Sequence, residues 1–350
     1  MNSADKFGKI RNLYNIINDR FSSAYNMDQA VSVDEQLILW KGHHSLKRYI
    51  PTKADKWGFK FYALAESRTG YIHRLLVDEG ARTDVLLAAP YQNLQRPGQY
   101  VMQLMFPLLN YGYILALDNF YTDIVLFQHL YEMGTSCLGT LRKGRRLLPP
   151  EITKHVWKKK DTGKQLVLYS KSFFVFTWRD KRALRFLSSI SSPQIDNRKP
   201  LVINEYNSGM PGVDLADQKR HGRIIARKRL KRWYKKVFYH LLDVALVNAH
   251  IIITTLPEFL GMTAESFRQT LVKSIITHYR QPVATQNTRH CHSFKRLVEK
   301  HTEIAIRGKL RCVVCAAAGV RKRSIYYCVE CDKNLCVTPC FHIYHTEEIY

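Results

Sequence analysis

The cysteine-rich end of the chain limits its folding more than any other stretch. Six of the eight cysteines run Cys312-x2-Cys315, twelve residues, Cys328-x2-Cys331, four residues, Cys336, three residues, Cys340, with His342 and His345 close behind. Two CxxC pairs at this separation are a zinc pattern, because each pair grips one tetrahedral metal from a tight turn. So short a segment buries too little apolar surface to fold alone, so residues 308–350 are expected to fold on zinc. A one-zinc ribbon would use four cysteines and leave Cys336 and Cys340 spare. The six cysteines with the two histidines give eight candidate ligands, which also allows two interleaved zinc sites. Cys137 and Cys291 stand apart, and the N-terminal MNSADKFGKIRNLYNI has no apolar signal core. The clustering therefore favours metal ligation in a reducing compartment over disulfides.

Outside that tail, charge decides the class of partner. The chain carries 54 Lys and Arg against 29 Asp and Glu, a formal net charge of +25, in an otherwise globular composition of 350 residues. Such an excess points to a polyanion, most simply double-stranded DNA, with an anionic membrane surface as the runner-up. The longest apolar run, residues 244–256, is too short to span a bilayer and contains Asn248 and His250. No membrane partner is expected.

Periodicity divides the rest. Ile10, Leu13, Ile16, Ile17 and Phe21 recur at helical spacing, which predicts one helix within 1–30. AVSVDEQLILW then reads as a strand carrying Asp34 and Glu35, followed by a basic loop broken by Pro51. WGFKFYALAES and YIHRLLVDEG, separated by RTG, predict a hairpin. Residues 100–109 read as a helix, and GYILALD as a short buried strand ending in Asp118. In NFYTDIVLFQHLYEMG, Thr122 is the expected N-cap, Ile124, Phe127, Leu130 and Tyr131 the apolar stripe, and Gly134 the C-terminal cap. SCLGTLR adds another strand. The expected class is α/β, with a mixed-sheet core of the RNase H-like kind over 31–143 and 201–224. In such a sheet the strands of Asp34 and Asp118 are neighbours and a later helix adds a third carboxylate. Residues 144–200, basic and Pro-containing and then strand-rich (KQLVLYS, SFFVFTW, ALRFLSSI), read as a β-rich insertion domain splitting that core.

The later carboxylates lie in NEYNSGMPGVDLADQ. Asp214 and Asp217 share one face of a helix that begins near Val213. Alone, acidic residues there are most simply caps and dipole partners. No further acidic residue comes before Asp243, and ten cations intervene: Lys219, Arg220, Arg223, Arg227, Lys228, Arg229, Lys231, Arg232, Lys235 and Lys236. A carboxylate pair beside a one-signed run suggests a metal site next to a phosphate track. The bland alternative is a solvated basic face. Leu230, Trp233, Val237, Leu241, Val244, Ala245 and Asn248 then mark one face of a long helix whose first half carries the cations and which ends before Pro257. With a further helix in PEFLGMTAESFRQTLVKSIITHYR and the linker RQPVATQNTRHCHSFK, residues 225–300 read as a helical DNA-binding and dimerisation domain.

Taken together, VSVDEQL with KGHHSLKRYIPTKADKWGFKFYAL, YILALDNFYTDIVLFQHLYEMGTSCLGTLRKGRRLLP, FTWRDKRALRFLSS, YNSGMPGVDLADQ and VVCAAAGVRKRSIYYCVECDKNLCVTPCFHIYHT resemble the piggyBac transposase family, in the family's order. The resemblance implies a nuclear DDD-type cut-and-paste transposase, a homodimer acting on transposon ends at TTAA targets. It implies Asp34, Asp118 and Asp214 as the triad that holds Mg²⁺, with Asp217 as an additional acidic residue. Two Mg²⁺ ions about 4 Å apart can activate the attacking oxygen and stabilise the leaving one. It also implies His345 as the closing zinc ligand, with His342 as the eighth ligand or a surface residue. Residues 1–30 are expected to be a remnant of the family's N-terminal DNA-binding and dimerisation region. His43 and His44 stand where arginine is usual, and Pro211 where a second glycine is common, which bears on how Asp214 is presented. Two other readings stay open: a domesticated, catalytically silent DNA- or chromatin-binding protein, and an adaptor whose zinc module, of RING- or PHD-like ligand logic, engages chromatin proteins.

Overall fold

The computed structural model describes residues 5–51, 56–85, 91–190, 193–196, 199–221, 224–225, 230–279, 301, 304–348 and 350. They form two compact units, Met1–Lys273 and Ser274–Tyr350. The first runs α1 (Gly8–Ala24), β1 (Ala30–Leu39), β2 (Lys47–Tyr49), β3 (Trp57–Glu66), β4 (Ile72–Val77), α2 (Arg96–Met105), β5 (Ile114–Leu117), α3 (Ile124–Glu132) and β6 (Ser136–Thr140). It continues through α4 (Pro150–Thr153), β7 (Gln165–Tyr169), β8 (Phe174–Arg179), β9 (Ala183–Ser188), β10 (Ile195–Asp196), β11 (Lys199–Pro200), α5 (Leu201–Gly209), α6 (Gly212–Arg220) and α7 (Trp233–Ile253), and into α8 (Ala264–Tyr279).

One mixed sheet joins β1 to β9 in the order β2-β3-β1-β5-β6-β9-β8-β7, with β4 also on β3. β1, β5 and β6 are parallel neighbours, and β3 runs antiparallel to β1, β2 and β4. Of the strand-rich stretch expected as an inserted domain, only β10 and β11 pair apart from the core sheet. β9 pairs antiparallel with β6, Leu138↔Ser188 to Thr140↔Phe186, so β7 to β9 extend the core sheet. That pairing satisfies backbone groups that an open β6 edge would leave bare.

Alternation along the strands divides the core. Val31, Val33, Leu64, Leu115 and Leu117 pack under α2 and α3 through Val101, Leu104, Leu126, Phe127 and Leu130. The opposite face, Phe59, Phe61, Ala63 and Ala65, is covered by Ile10, Tyr14 and Phe21 of α1, Val213 and Ala216 of α6, and Val237, Leu241 and Val244 of α7. Local expectations shift in three places. On α1 the buried stripe is Ile10, Tyr14, Asn18 and Phe21, while Ile16 is exposed. On α3 the N-cap is Asp123, whose carboxylate accepts from the Val125 amide at 3.0 Å, and Thr122 instead donates to the Asp118 carbonyl. Leu126, not Tyr131, completes the α3 stripe, and Gly134 (φ 63°) follows the helix end as expected.

α7 starts at Trp233, so Leu230 and most of the basic run precede it. The run is broken because α6 closes at Arg220 and Trp233 packs with Phe7, His44 and Phe59 at the start of the next helix. α7 is long and apolar enough to cross a bilayer by length and composition. It is nonetheless a core helix, with Val237, Leu241, Val244, Val247 and Ile251 buried. The second unit holds a three-stranded sheet, β12 (Ile304–Arg311), β13 (Arg323–Cys328) and β14 (Lys333–Asn334), with α9 (Val313–Ala317) and α10 (Cys340–Thr346). The expected linker at 280–295 lies outside the described residues.

Candidate active site and metal centres

Register brings the first two aspartates together. β1 and β5 pair in parallel with Val33 opposite Leu117, so Asp34 and Asp118 are the next residues on adjacent strands. Alternation turns both toward the α5–α6 side, since Val33 and Leu117 belong to the other core. The burial-raised phenols of Tyr121 and Tyr206 are pushed up further by both carboxylates. β5 ends as Asp118 caps its own turn, its carboxylate accepting from the Phe120 amide at 2.6 Å. Arg142 and Arg145, from the loop after β6, hold that turn from outside. Arg142 donates to Asn119 Oδ1 at 2.6 Å, and Arg145 to the Asn119 and Phe120 carbonyls at 2.5 and 3.1 Å. In the sequence neither arginine stands out, because RKGRR reads only as a basic stretch.

α6 lies along β1 on the same side. A Cβ on Gly212 would meet the Glu66 carbonyl and the Ser32 hydroxyl at 2.7 Å, so only glycine lets the helix start this close. Gly70, at φ +73°, likewise lets the β3–β4 turn fit under Ala216. Farther along, Gln36 donates to Asp217 Oδ1 at 2.9 Å, and Arg220 stands 3.2 Å from the same oxygen. The helix therefore passes from Ser32 to Gln36, across the position of Asp34. Pro211 fits as the N-cap with φ −74° and ψ 0°. Asp214, three residues before Asp217, stays exposed on the first turn.

The basic residues take different places. Lys219 donates to the Thr69 carbonyl at 2.8 Å, and the Arg220 side chain is 11% exposed and turned inward to Asp217. Lys231, Arg232 and Lys235 are exposed at the start of α7, and Lys236 is half-buried. Arg223, Arg227, Lys228 and Arg229 lie outside the described residues.

In the second unit the cysteines and histidines form two sets, each with all ligand atoms within 4.8 Å of one another: Cys312, Cys315, Cys336 and Cys340, and His301, Cys328, Cys331 and His345. Cys315 Sγ is 3.9 Å from Cys336 Sγ and 3.5 Å from Cys340 Sγ. Those separations match a tetrahedron edge of about 3.8 Å for zinc–sulfur bonds of about 2.3 Å, and exceed a disulfide bond of about 2.05 Å. Burial first, then neighbouring groups, push the Cys328 and Cys340 thiols up to about 12, so without a cation they stay protonated. The donor set fits two zinc ions, and the two sets interleave along the chain. His342 is exposed and belongs to neither. The eighth candidate ligand in the structure is His301, upstream of the first cysteine. Its sequence signal is weak, a single histidine upstream of β12 and eleven residues before the first CxxC pair.

Residues 1–250 match the family model described as Transposase IS4, and the chain belongs to that family of transposases. Within it the chain is of the piggyBac type. It is 26% identical over 372 residues to human PiggyBac transposable element-derived protein 3, covering 99% of this chain and 60% of that protein. To human PiggyBac transposable element-derived protein 2 it is 23% identical over 273 residues, 71% of this chain and 44% of that one. The chain thus spans less than two thirds of these relatives' length. Its fold is similar to a piggyBac transposase solved by cryo-EM in a synaptic complex with hairpin DNA, with a TM-score of 0.72 at 20% identity, covering 96% of this chain and 74% of that one.

Proposed function

We propose that the chain is a DDD-type DNA transposase, or a derivative of one, whose RNase H-like core holds Mg²⁺ through Asp34, Asp118, Asp214 and Asp217 and cuts and joins DNA at TTAA-type sites. The observation that carries this is the β1–β5 register, which puts Asp34 and Asp118 side by side beneath α6. The order β3-β1-β5-β6, antiparallel and then parallel, supports the RNase H-like assignment. Carboxylate oxygens suit Mg²⁺, which when bound supplies an activated oxygen nucleophile and charge stabilisation at phosphorus. The chain's own residues hold the geometry: Gln36 and Arg220 fix Asp217, and Arg142 and Arg145 fix the Asp118 turn. The exposed Lys231, Arg232 and Lys235 offer phosphate contacts, and a nuclear location and a homodimer go with this reading. With Mg²⁺ and TTAA-flanked DNA ends the expected result is nicking that Asp118→Asn abolishes. Cleavage indifferent to that substitution would overturn the assignment.

A second reading is a catalytically silent DNA- or chromatin-binding derivative. One observation favours it: Asp214 is exposed and has no hydrogen-bond partner among the described residues. It predicts salt-dependent DNA binding without metal-dependent cleavage.

A further inference from the structure

On the face of the sheet that carries Asp34, a row of aromatic side chains runs out to the edge and ends in solvent. Phe59 is buried beside Trp233 of α7, with ring centroids 5.7 Å apart. Lys47 on the short strand β2 pairs with Phe59, and two residues on, Tyr49 pairs with Trp57. Alternation puts Lys47, Tyr49 and Trp57 on the same face as Phe59, Phe61 and Ala63, and Ala63 is the partner of Asp34. The Tyr49 and Trp57 rings lie 4.7 Å apart, and the Lys47 ammonium sits 4.9 Å from the Trp57 ring centroid. A cross-strand pair that only pinned an edge strand would gain by covering its rings. These two stay 50% and 46% exposed.

Charge decides what such a surface meets. Lys56, next to Trp57, is exposed. Trp233 packs on Phe59 and His44, which brings the start of α7 to the same place, and its neighbours Lys231, Arg232 and Lys235 are exposed. These cations repel a methylated-lysine peptide, the other ligand that an aromatic pair takes, and they attract a polyanion. Rings beside cations suit unpaired nucleotides, because bases stack on the rings while the cations follow the phosphates. An intact duplex keeps its bases stacked on one another and offers the rings nothing. Trp57 is six residues along β3 from Ala63, so it lies about 20 Å from the level of Asp34, or about six base pairs of duplex.

We propose that Lys47, Tyr49 and Trp57 form a stacking platform for unpaired nucleotides of a DNA end whose reacting phosphate lies at Asp34 and Asp118. The inference rests on DNA as the substrate, as the proposed function has it.

The test uses the full chain and fluorescence anisotropy at fixed salt, with two probes: a blunt duplex, and the same duplex carrying a short overhang of unpaired thymines. The wild type is expected to bind the overhang probe about ten-fold tighter than the blunt one. Trp57→Ala and Tyr49→Ala should each remove most of that ratio, while Trp57→Phe and Tyr49→Phe, which keep a ring, should retain it. Lys235→Ala should weaken both probes alike and leave the ratio, since a phosphate contact does not tell the two apart. Stacking also quenches indole emission, so titration with oligothymidylate should dim the wild type more than Trp57→Phe. A ratio near one in the wild type, or a ratio untouched by either alanine, overturns the proposal, and so does tighter binding of a trimethyl-lysine peptide than of the overhang probe. If Trp57→Ala does not fold, Tyr49→Ala decides. Should neither probe bind the wild type at low salt, the DNA reading fails and this proposal with it. Blunt-duplex binding without a preference for the overhang removes this proposal alone.

Discussion

Two asparagines hold β4 from helices far apart in the chain. Asn18 of α1 accepts from the Leu75 amide at 2.8 Å and donates to the Leu75 carbonyl at 2.7 Å. Asn248 of α7 does the same to Ile72, at 3.0 and 2.8 Å. Each side chain satisfies both backbone groups of one residue at the outer side of the sheet, where an unpaired strand would otherwise be a liability. In the sequence, Asn248 reads only as one more position on an apolar helix face, because the partner of a buried amide is set by tertiary structure. Asn248→Ala strands a buried N–H and a buried C=O, so a loss of about 2–3 kcal/mol is expected in urea denaturation. A loss below about 0.5 kcal/mol would mean that water or backbone movement replaces the clamp.

At the scale of elements, the two cysteine and histidine sets, which could each hold a zinc ion, dominate the second unit. Its apolar cluster is built largely from the ligand cysteines themselves, Cys312, Cys328, Cys336 and Cys340 with Val314, Leu335 and Tyr344. Little apolar packing remains once the metal leaves. A strong chelator should expose residues 304–348 to protease; an unchanged digestion pattern there would contradict zinc as the folding partner. His301→Ala should leave one bound zinc by native mass spectrometry and His342→Ala two, and the reverse outcome would restore His342 as the ligand. The six clustered cysteines were legible because CxxC spacing is local chemistry. His301 was not, since it joins its set through β12 and β13. The strands of the core were legible for the same local reason: AVSVDEQLILW and the WGFKFYALAES hairpin carry their own alternation. That β9 would pair with β6 is a long-range choice that no local period records. The Asp34–Asp118 pairing could be anticipated from element order, whereas the Arg142 and Arg145 braces could not.

For the whole molecule, a charge of +25 makes acid a stress, and two buried histidines set where it begins. Burial first, then Arg74, brings His73 down to about 4, and burial does the same more strongly to His240, toward which Arg220 and Lys236 also face. A folded-state pKa below the unfolded value of about 6.5 means that the unfolded chain binds protons first as pH falls. Stability is therefore full above about pH 6.5 and declines toward pH 4, with His73 alone contributing up to about 3 kcal/mol of the loss. Self-repulsion of an already cationic chain works in the same direction. Acid also strips zinc from thiolates, so the two units must be read separately. The sequence allows this: all five tryptophans, Trp40, Trp57, Trp157, Trp178 and Trp233, lie in the first unit. The tryptophan-detected thermal midpoint should be level from pH 8 to 7 and fall between pH 6.5 and 4.5, with a shallower slope in His73→Gln. A midpoint that stays level through that window, or a slope untouched by His73→Gln, would show that His73 takes up its proton without leaving the fold.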